Sequence, residues 1–269
     1  LEAALSACLQ HLKNYRQIPV IRVSMNSDAF YGRSGEQWQK LGIGSSAAVT
    51  VALMGALVSE FKLQLSPAEL ATVCHQAHRI FQEGRGSGID VVTALHGGVV
   101  SAQSTTDAEE LVVAERQWPE GLSILPVWTG VGASTTELLS RVSAFRDNNP
   151  GDYGRHMLQL VDLSMEADRV WQAGDAADVK TALGACDQAL QAFDHDASVG
   201  IYTEPHHRIR ALVEGKGAAY KVSGAGGGDF GLAITESTDV ADLLRAACAE
   251  KGIMILERPF AAAGLIVSE

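Results

Sequence analysis

Residues 40–48 read Lys-Leu-Gly-Ile-Gly-Ser-Ser-Ala-Ala and lead without a break into an apolar stretch that ends near Phe61. Two glycines let the backbone approach a ligand closely, and a helix starting behind them aims unpaired amides and the positive end of its dipole at the same point. Phosphate is the natural guest. Ser45 or Ser46 is the expected N-cap, because each offers a side-chain oxygen to the amides of a first turn. The run also fits a loose GxGxxA dinucleotide fingerprint, which needs a hydrophobic strand ahead of the first glycine. Glu36-Gln37-Trp38-Gln39-Lys40 reads as no such strand. A Walker A loop is excluded, since it closes on Gly-Lys-Ser/Thr. A plain helix start without a ligand is the remaining alternative.

Further along, Gly84-Arg85-Gly86-Ser87-Gly88-Ile89-Asp90, closed by Gly97-Gly98, reads as a glycine-rich turn around one carboxylate. Asp90 can be presented there with no bulky neighbour, and Arg85 adds a cation. The alternative is an Asx-turn role for Asp90. On the preceding helix His75 and His78 stand at i, i+3 spacing beside Arg79. With no third ligand nearby, capping or core roles are expected there rather than a metal pair. Near the end of the sequence comes Lys221-Val222-Ser223-Gly224-Ala225-Gly226-Gly227-Gly228-Asp229-Phe230. Four glycines in five residues are costly to order, so close backbone approach must require them. The strands expected on either side favour a rigid turn over a phosphate or substrate and speak against a linker.

The rest of the chain places these stretches. Residues 2–14 carry a helical apolar face, Val20–Met25 reads as a strand, and 31–40 as a hairpin or loop. Ser66-Pro67-Ala68-Glu69 starts a helix with Ser66 as N-cap and Glu69 at the capping-box position, running to about Gln82. A strand is expected at Gly98–Ala102 and a crossing between domains at 104–121, after which Leu122–Trp128 opens a new strand set. Amphipathic helices fill 134–215, broken near Asn148–Gly151 and Ala173–Asp175. Strand, glycine turn and strand follow over 217–234, then a helix at 239–251 and strands near 253–257 and 263–267. Strands and helices alternate without regular βαβ spacing, which selects an α+β class.

Composition bounds the partners. Of 269 residues 46% are hydrophobic and 20% charged, enough for two domains with real cores, here expected over 1–118 and 119–269. Lys+Arg 21 against Asp+Glu 32 gives a net charge of −11, which repels nucleic acid and anionic lipid. A polyanionic small molecule then needs a locally basic or amide-lined pocket. The cysteines at 8, 74, 186 and 248 lack CxxC spacing and read as reduced, buried thiols. The longest apolar stretch, Ala47–Val58, falls short of the ~20 residues of a membrane span. No basic n-region follows Leu1, so a cytoplasmic protein is expected, and the absence of an initiator Met suggests a piece of a longer chain.

Taken in order, KLGIGSSAA, then GSGID with a later GG, then KVSGAGGGD resemble the three-motif layout of the GHMP small-molecule kinases. Within them Lys40 ahead of LGIGSSAA, the phrase SGAGGGD, and Trp128-Thr129-Gly130 followed by Ser134-Thr135 look most like the phosphomevalonate kinase branch. The resemblance implies a two-domain α+β fold, with a ribosomal protein S5 domain 2-like N-terminal domain lacking its first strands and a ferredoxin-like C-terminal domain. The family's opening Pro-Gly…Gly-Glu motif has no match. Mevalonate kinases also carry a magnesium-binding Glu upstream of the SGxD aspartate, where this chain has Ala77-His78-Arg79.

Carried over motif by motif, the amides of Gly42, Ile43, Gly44, Ser45, Ser46 and Ala47 would hold the phosphates of ATP, and the Ser46 hydroxyl would ligate Mg²⁺. Asp90 and Lys40 would be the catalytic pair. Arg85, Ser87, Gly88, Lys221, Ser223, Gly224, Ala225, Gly226 and Gly227 would line the substrate site. The implied partner is a small-molecule phosphate acceptor, with no nucleic acid and no membrane; a homodimer is left open. A phosphomonoester has a second pKa near ~6, so its oxygen is largely deprotonated at neutral pH and needs cations more than a base.

Overall fold

The computed structural model describes residues 20–34, 37–82, 86–104, 111–257 and 262–268. The chain divides into two compact units, one of Leu1–Tyr31, Ile43–Arg116 and Pro259–Glu269, the other of Gly32–Gly42 and Gln117–Arg258. In chain order the strands are β1 (Tyr31–Ser34), β2 (Gln37–Lys40), β3 (Val99–Ser104), β4 (Leu111–Arg116), β5 (Ser123–Trp128), β6 (Ala219–Val222) and β7 (Phe230–Thr235). The helices are α1 (Ser45–Glu60), α2 (Pro67–Phe81), α3 (Ile89–His96), α4 (Thr135–Asn148), α5 (Pro150–Ala173), α6 (Ala176–Ala197), α7 (Glu204–Glu214) and α8 (Thr238–Glu250). The helix expected over 2–14, Cys8, and the Arg85 stretch lie outside the described residues.

In the first unit α1 buries residues around much of its circumference, Ala47, Val51, Leu53, Met54 and Leu57 among them. Its core joins Val73, Cys74 and Ala77 of α2 and Val91 of α3. Gly55 lets the returning chain approach, since a Cβ there would stand 2.8 Å from the Leu265 side chain. Helix α2 begins as its sequence dictates. Ser66 Oγ accepts from the Glu69 amide at 3.3 Å while Glu69 Oε2 accepts from the Ser66 amide at 2.7 Å, a complete capping box with Pro67 at the first helical position. Strands β3 and β4 pair antiparallel from Val99↔Arg116 to Ser104↔Leu111.

The second unit is built on a three-stranded sheet in the order β5-β7-β6, with both pairings antiparallel. Tyr220, Val222 and Ala233 from the sheet meet Phe193 of α6, Ile209 and Val213 of α7, and Leu244 of α8 in one core. Helices α5 and α6 break where Gly174 adopts φ 83° and Asp175 caps α6 by accepting from the amides of Ala177 and Asp178, each at 2.9 Å. Every pairing with a resolved register is antiparallel, which is the α+β arrangement and not a doubly wound sheet.

Several local expectations are corrected. Val20–Met25 forms no strand: Val20 and Met25 are exposed, and no neighbouring strand among the described residues supplies a ladder. The N-cap ahead of α1 is Gly44 at φ 75°, not Ser45 or Ser46, which are already inside the helix. The turn around Asp90 continues into a helix, α3, capped by Gly88 at φ 77°. Part of the expected crossing at 104–121 is β4, which pairs back on β3. The two tail strands reduce to single bridges, Ile255 with Val127 and Ala263 with Gly97. A strand does precede Gly42, but β2 sits in a two-stranded sheet with β1 and lacks the parallel βαβ setting that a dinucleotide site requires.

Cys74, Cys186 and Cys248 are buried thiols, as read from their spacing. Among the described residues no helix is long and apolar enough to cross a membrane.

Candidate active site

The first unit gathers one set of groups at the start of α1. Gly44 takes φ 75°, a conformation L side chains rarely adopt, and so turns the chain into the helix without a side-chain cap. That leaves first-turn amides with no intrahelical acceptor at an exposed loop, Ile43 being 37% exposed. A Cβ placed on Gly44 would lie 3.9 Å from Cβ of Asp90, which puts the first residues of α3 beside the loop. Asp90 remains 41% exposed, with Oδ1 accepting from the Val91 amide at 2.9 Å.

Between them stands His78, only 3% exposed. Its Nε2 is 3.2 Å from Ser46 Oγ and 3.8 Å from Asp90 Oδ2, and Gln82 Nε2 donates to the same Ser46 hydroxyl at 3.3 Å. Capping or a core role was expected of His78. It is buried, as a core role requires, and its imidazole contacts both the Ser46 hydroxyl and the Asp90 carboxylate. Its contacts lie 32 residues back and 12 ahead in the chain, and nothing in its immediate sequence points to them. Ser46 and Asp90 form an all-oxygen donor pair of the kind Mg²⁺ uses when water and phosphate complete its shell. No group of three or more His, Cys, Asp or Glu side chains that could cage a metal occurs among the described residues. The residues present therefore fit a cation shared with phosphate better than a closed structural metal.

Ser87 Oγ accepts from the Ile89 amide at 3.4 Å, and Gly88 is buried, since a Cβ on it would stand 2.7 Å from His75 Nε2.

The second unit holds the other set. Leu41 packs with Trp128 and Phe230, and Met254 and Leu256 pack against them, which anchors the chain as it leaves β2 at Lys40. Just beyond, the Asp229 carboxylate lies against Gly42, and the backbone amides of Gly42 and Ala133 favour its charged form. Burial pushes the Asp229 pKa up, against the pull of those two amides and of the Lys40 charge. Gly42 has to be glycine here, because any Cβ would collide with the Asp229 carboxylate.

The turn 223–229 is rigid, as expected, but most of its glycines face the chain itself. A Cβ on Gly226 would lie 2.8 Å from the Ile201 carbonyl oxygen, and one on Gly228 would lie 2.7 Å from that of Val131. Gly227 N–H donates to Ile201 C=O at 2.7 Å, and Ser223 N–H to Phe230 C=O at 2.9 Å. The 200–202 segment is itself shaped by Asp194, whose carboxylate accepts from the amides of Gly200, Ile201 and Tyr202. Gly224 and Ala225 are exposed, and nothing lies within 4 Å of a Cβ on Gly224. Lys221 donates to the Val222 carbonyl at 3.0 Å, and burial lowers its pKa, with Asp187 and Cys186 opposing.

The first unit thus brings together Gly44, Ser46, His78 and Asp90. The second brings together Lys40, Gly42, Asp229 and the turn at 223–228. The chain passes from one to the other at the Gly42–Ile43 peptide.

Two family models match the sequence: the GHMP kinases N-terminal domain over residues 3–98 and the GHMP kinases C-terminal domain over residues 172–253. A phosphomevalonate kinase of Streptomyces sp. (strain CL190) is 28% identical over 85% of this chain and 64% of that protein. A mevalonate kinase of Thermococcus sibiricus is 31% identical over 77% of this chain and 60% of that protein. The chain thus spans somewhat less than two thirds of either relative. A solved structure of Streptococcus pneumoniae phosphomevalonate kinase, in complex with phosphomevalonate and AMPPNP, superposes with a TM-score of 0.67 at 20% identity, covering 81% of this chain and 68% of that one.

Proposed function

Since the chain belongs to the GHMP kinases, both of whose domain models match it, we propose that it carries the centre of an ATP-dependent kinase whose acceptor is 5-phosphomevalonate and whose product is 5-diphosphomevalonate. The observation that carries the reading is the grouping of Gly44, the first turn of α1, Ser46, His78 and Asp90.

The amides of Gly42 to Ala47 bind the ATP phosphates, with the α1 dipole adding to their pull. Ser46 and Asp90 hold Mg²⁺; neutralising phosphate charge is what that cation supplies when bound. His78 orients the Ser46 hydroxyl, and Lys40, whose charge acts on Asp229, offers a cation to the phosphates. The acceptor phosphate is already deprotonated at neutral pH, so Asp90 orients charge and removes no proton. Arg85 reads the acceptor's phosphate, and Ser223, Gly224 and Ala225 offer it an exposed turn.

Mevalonate is the rival acceptor, and the Thermococcus relative favours it. Against it stands the buried imidazole of His78, close to where the resemblance puts the mevalonate kinases' magnesium-binding Glu.

A coupled ADP-release assay with Mg-ATP and 5-phosphomevalonate, mevalonate, galactose or homoserine tests the reading. Turnover with 5-phosphomevalonate alone is the expected result. Turnover with mevalonate alone moves the chain to the rival branch, and tight ATP binding without any turnover makes it a nucleotide-binding homologue. Arg85→Ala should raise KM for a phosphorylated acceptor and leave KM for ATP unchanged; an equal rise for a non-phosphorylated acceptor removes its phosphate-reading role.

A further inference from the structure

We propose that His206, backed by Tyr220, is a positioning residue that fixes the Gly228–Asp229 peptide and thereby holds the Asp229 carboxylate against Gly42. The proposal rests on the reading of Gly42–Ala47 as a phosphate-binding loop.

His206 lies on α7 with 0% exposure. Its Nε2 is 3.1 Å from the Gly228 carbonyl oxygen and its Nδ1 is 2.6 Å from the Tyr220 hydroxyl. A carbonyl can only accept, so Nε2 carries the hydrogen. Nδ1 is then a bare lone pair that accepts from Tyr220 O–H. One neutral tautomer satisfies both contacts, and burial, by lowering the His206 pKa, favours that neutral form.

The Tyr220 hydroxyl has its own seat. A Cβ on Gly231 would collide with it, so this glycine of the neighbouring strand β7 is what lets the phenol reach the imidazole. Arg210 lies over the rings of Tyr202 and Tyr220 at 4.8 and 5.2 Å and is ion-paired with the buried Asp187. Asp187 in turn accepts from Tyr202 O–H at 2.6 Å and from the Val222 amide at 3.3 Å. The contacts tie α6, α7 and β6 to the glycine-rich turn.

At the other end of the relay sits a single peptide group. His206 holds the C=O of Gly228, while the N–H of the same peptide, that of Asp229, donates to Val131 C=O at 2.7 Å. A planar peptide gripped on both sides cannot turn. Asp229 follows at φ 55°, and its own carbonyl accepts from Thr129 N–H at 2.8 Å and Thr129 Oγ1 at 3.0 Å. Its carboxylate is thereby set against Gly42, where an added Cβ would fall on it. A histidine that merely filled the core would contribute to stability and leave Gly42 indifferent.

The test compares His206→Leu, His206→Gln and Tyr220→Phe with the full chain, each checked for folding by its thermal melt. Three quantities are read: the ring tautomer by ¹⁵N NMR, amide exchange at Gly42, and Mg-ATP affinity by titration calorimetry. In the unaltered chain the Nε2–H neutral tautomer is expected. His206→Leu should speed Gly42 exchange about tenfold and weaken Mg-ATP binding by about the same factor. His206→Gln, which keeps an N–H donor for Gly228, should return both to within about threefold, with Tyr220→Phe in between.

An Nδ1–H tautomer, unchanged Gly42 exchange in a folded His206→Leu chain, or glutamine behaving as leucine does, each overturns the proposal. If His206→Leu does not fold, the glutamine and phenylalanine variants decide it on the same exchange. If the unaltered chain binds no Mg-ATP, the phosphate-loop reading fails by itself, and Gly42 exchange still decides what His206 does.

Discussion

The two glycine-rich stretches look alike in sequence and work in opposite ways. At Gly44–Ser46 a left-handed glycine opens a helix whose first-turn amides have no intrahelical acceptor and stand beside the partly exposed Asp90 carboxylate. Within Ser223–Asp229, Gly226 and Gly228 are there because Ile201 and the Val131–Ala133 backbone press against them. The first stretch can act because its groups are left available. The second can position because its groups are already bonded. Glycine in a sequence marks close approach, and only the fold tells whether the approaching partner is a ligand or the chain itself.

The contrast predicts that changes around the first stretch alter rate without altering stability, and that changes in the second lower stability. The largest expected effect is Asp90→Asn, which should lower kcat about a thousandfold, because a charge beside the transferred phosphoryl group is lost. The melting temperature should stay within about 2 °C, since Asp90 is partly exposed and makes one local hydrogen bond. A melting temperature lowered as far as a core mutant's would make Asp90 a structural residue and erase the contrast.

Gly228→Ala comes next. Its Cβ would stand 2.7 Å from the Val131 carbonyl oxygen, so backbone must move, at a cost of about 2–3 kcal/mol read from a urea midpoint. Gly224→Ala, four residues earlier in the same turn, meets open space at φ 61° and should cost only about 1 kcal/mol. Equal losses at the two sites would mean that the turn is loose and that its glycines answer to something other than the chain's own backbone. Ser66→Ala is the control away from both stretches. Losing the capping box on α2 should cost about 1 kcal/mol with kcat unchanged.

These pairs also mark what the amino-acid order discloses. The α2 cap was legible because Ser66, Pro67 and Glu69 are neighbours and their geometry is local. The breaks at Asn148–Gly151 and Ala173–Asp175 were legible for the same reason. Val20–Met25 carries strand chemistry, but a strand needs a neighbour, and pattern alone does not supply one. Helix α3 was hidden because its cap is a glycine in the left-handed region and its first residues read as turn. His78 and His206 were hidden more deeply. Each reaches partners 12 to 32 residues away, so nothing in their immediate sequence separates them from ordinary core histidines. Motif order could find the loop and the aspartate, but the side chains that hold them in place emerge only from packing.

The smallest expected effect concerns pH and follows from how the second stretch is held. Burial lowers the His206 pKa below its unfolded value of about 6.5, and the charges that face it are Arg210 and His207 on α7, which lower it further, and Asp187 on α6, which raises it. Once pH falls below the unfolded value, the unfolded chain takes up a proton that the folded chain refuses, so stability is lost with decreasing pH until the folded pKa is reached. Asp229 works with the opposite sign at lower pH, because its raised pKa leaves the folded carboxyl protonated where the unfolded one has ionised. Subtraction separates the two. Between about pH 7.5 and pH 5.5 the unaltered chain should lose more stability than His206→Gln, which has no ring to titrate and keeps Asp229. Identical pH slopes in the two chains would mean that His206 titrates as freely in the folded state as in the unfolded one, and a freely titrating ring would place no restriction on the peptide ahead of Asp229.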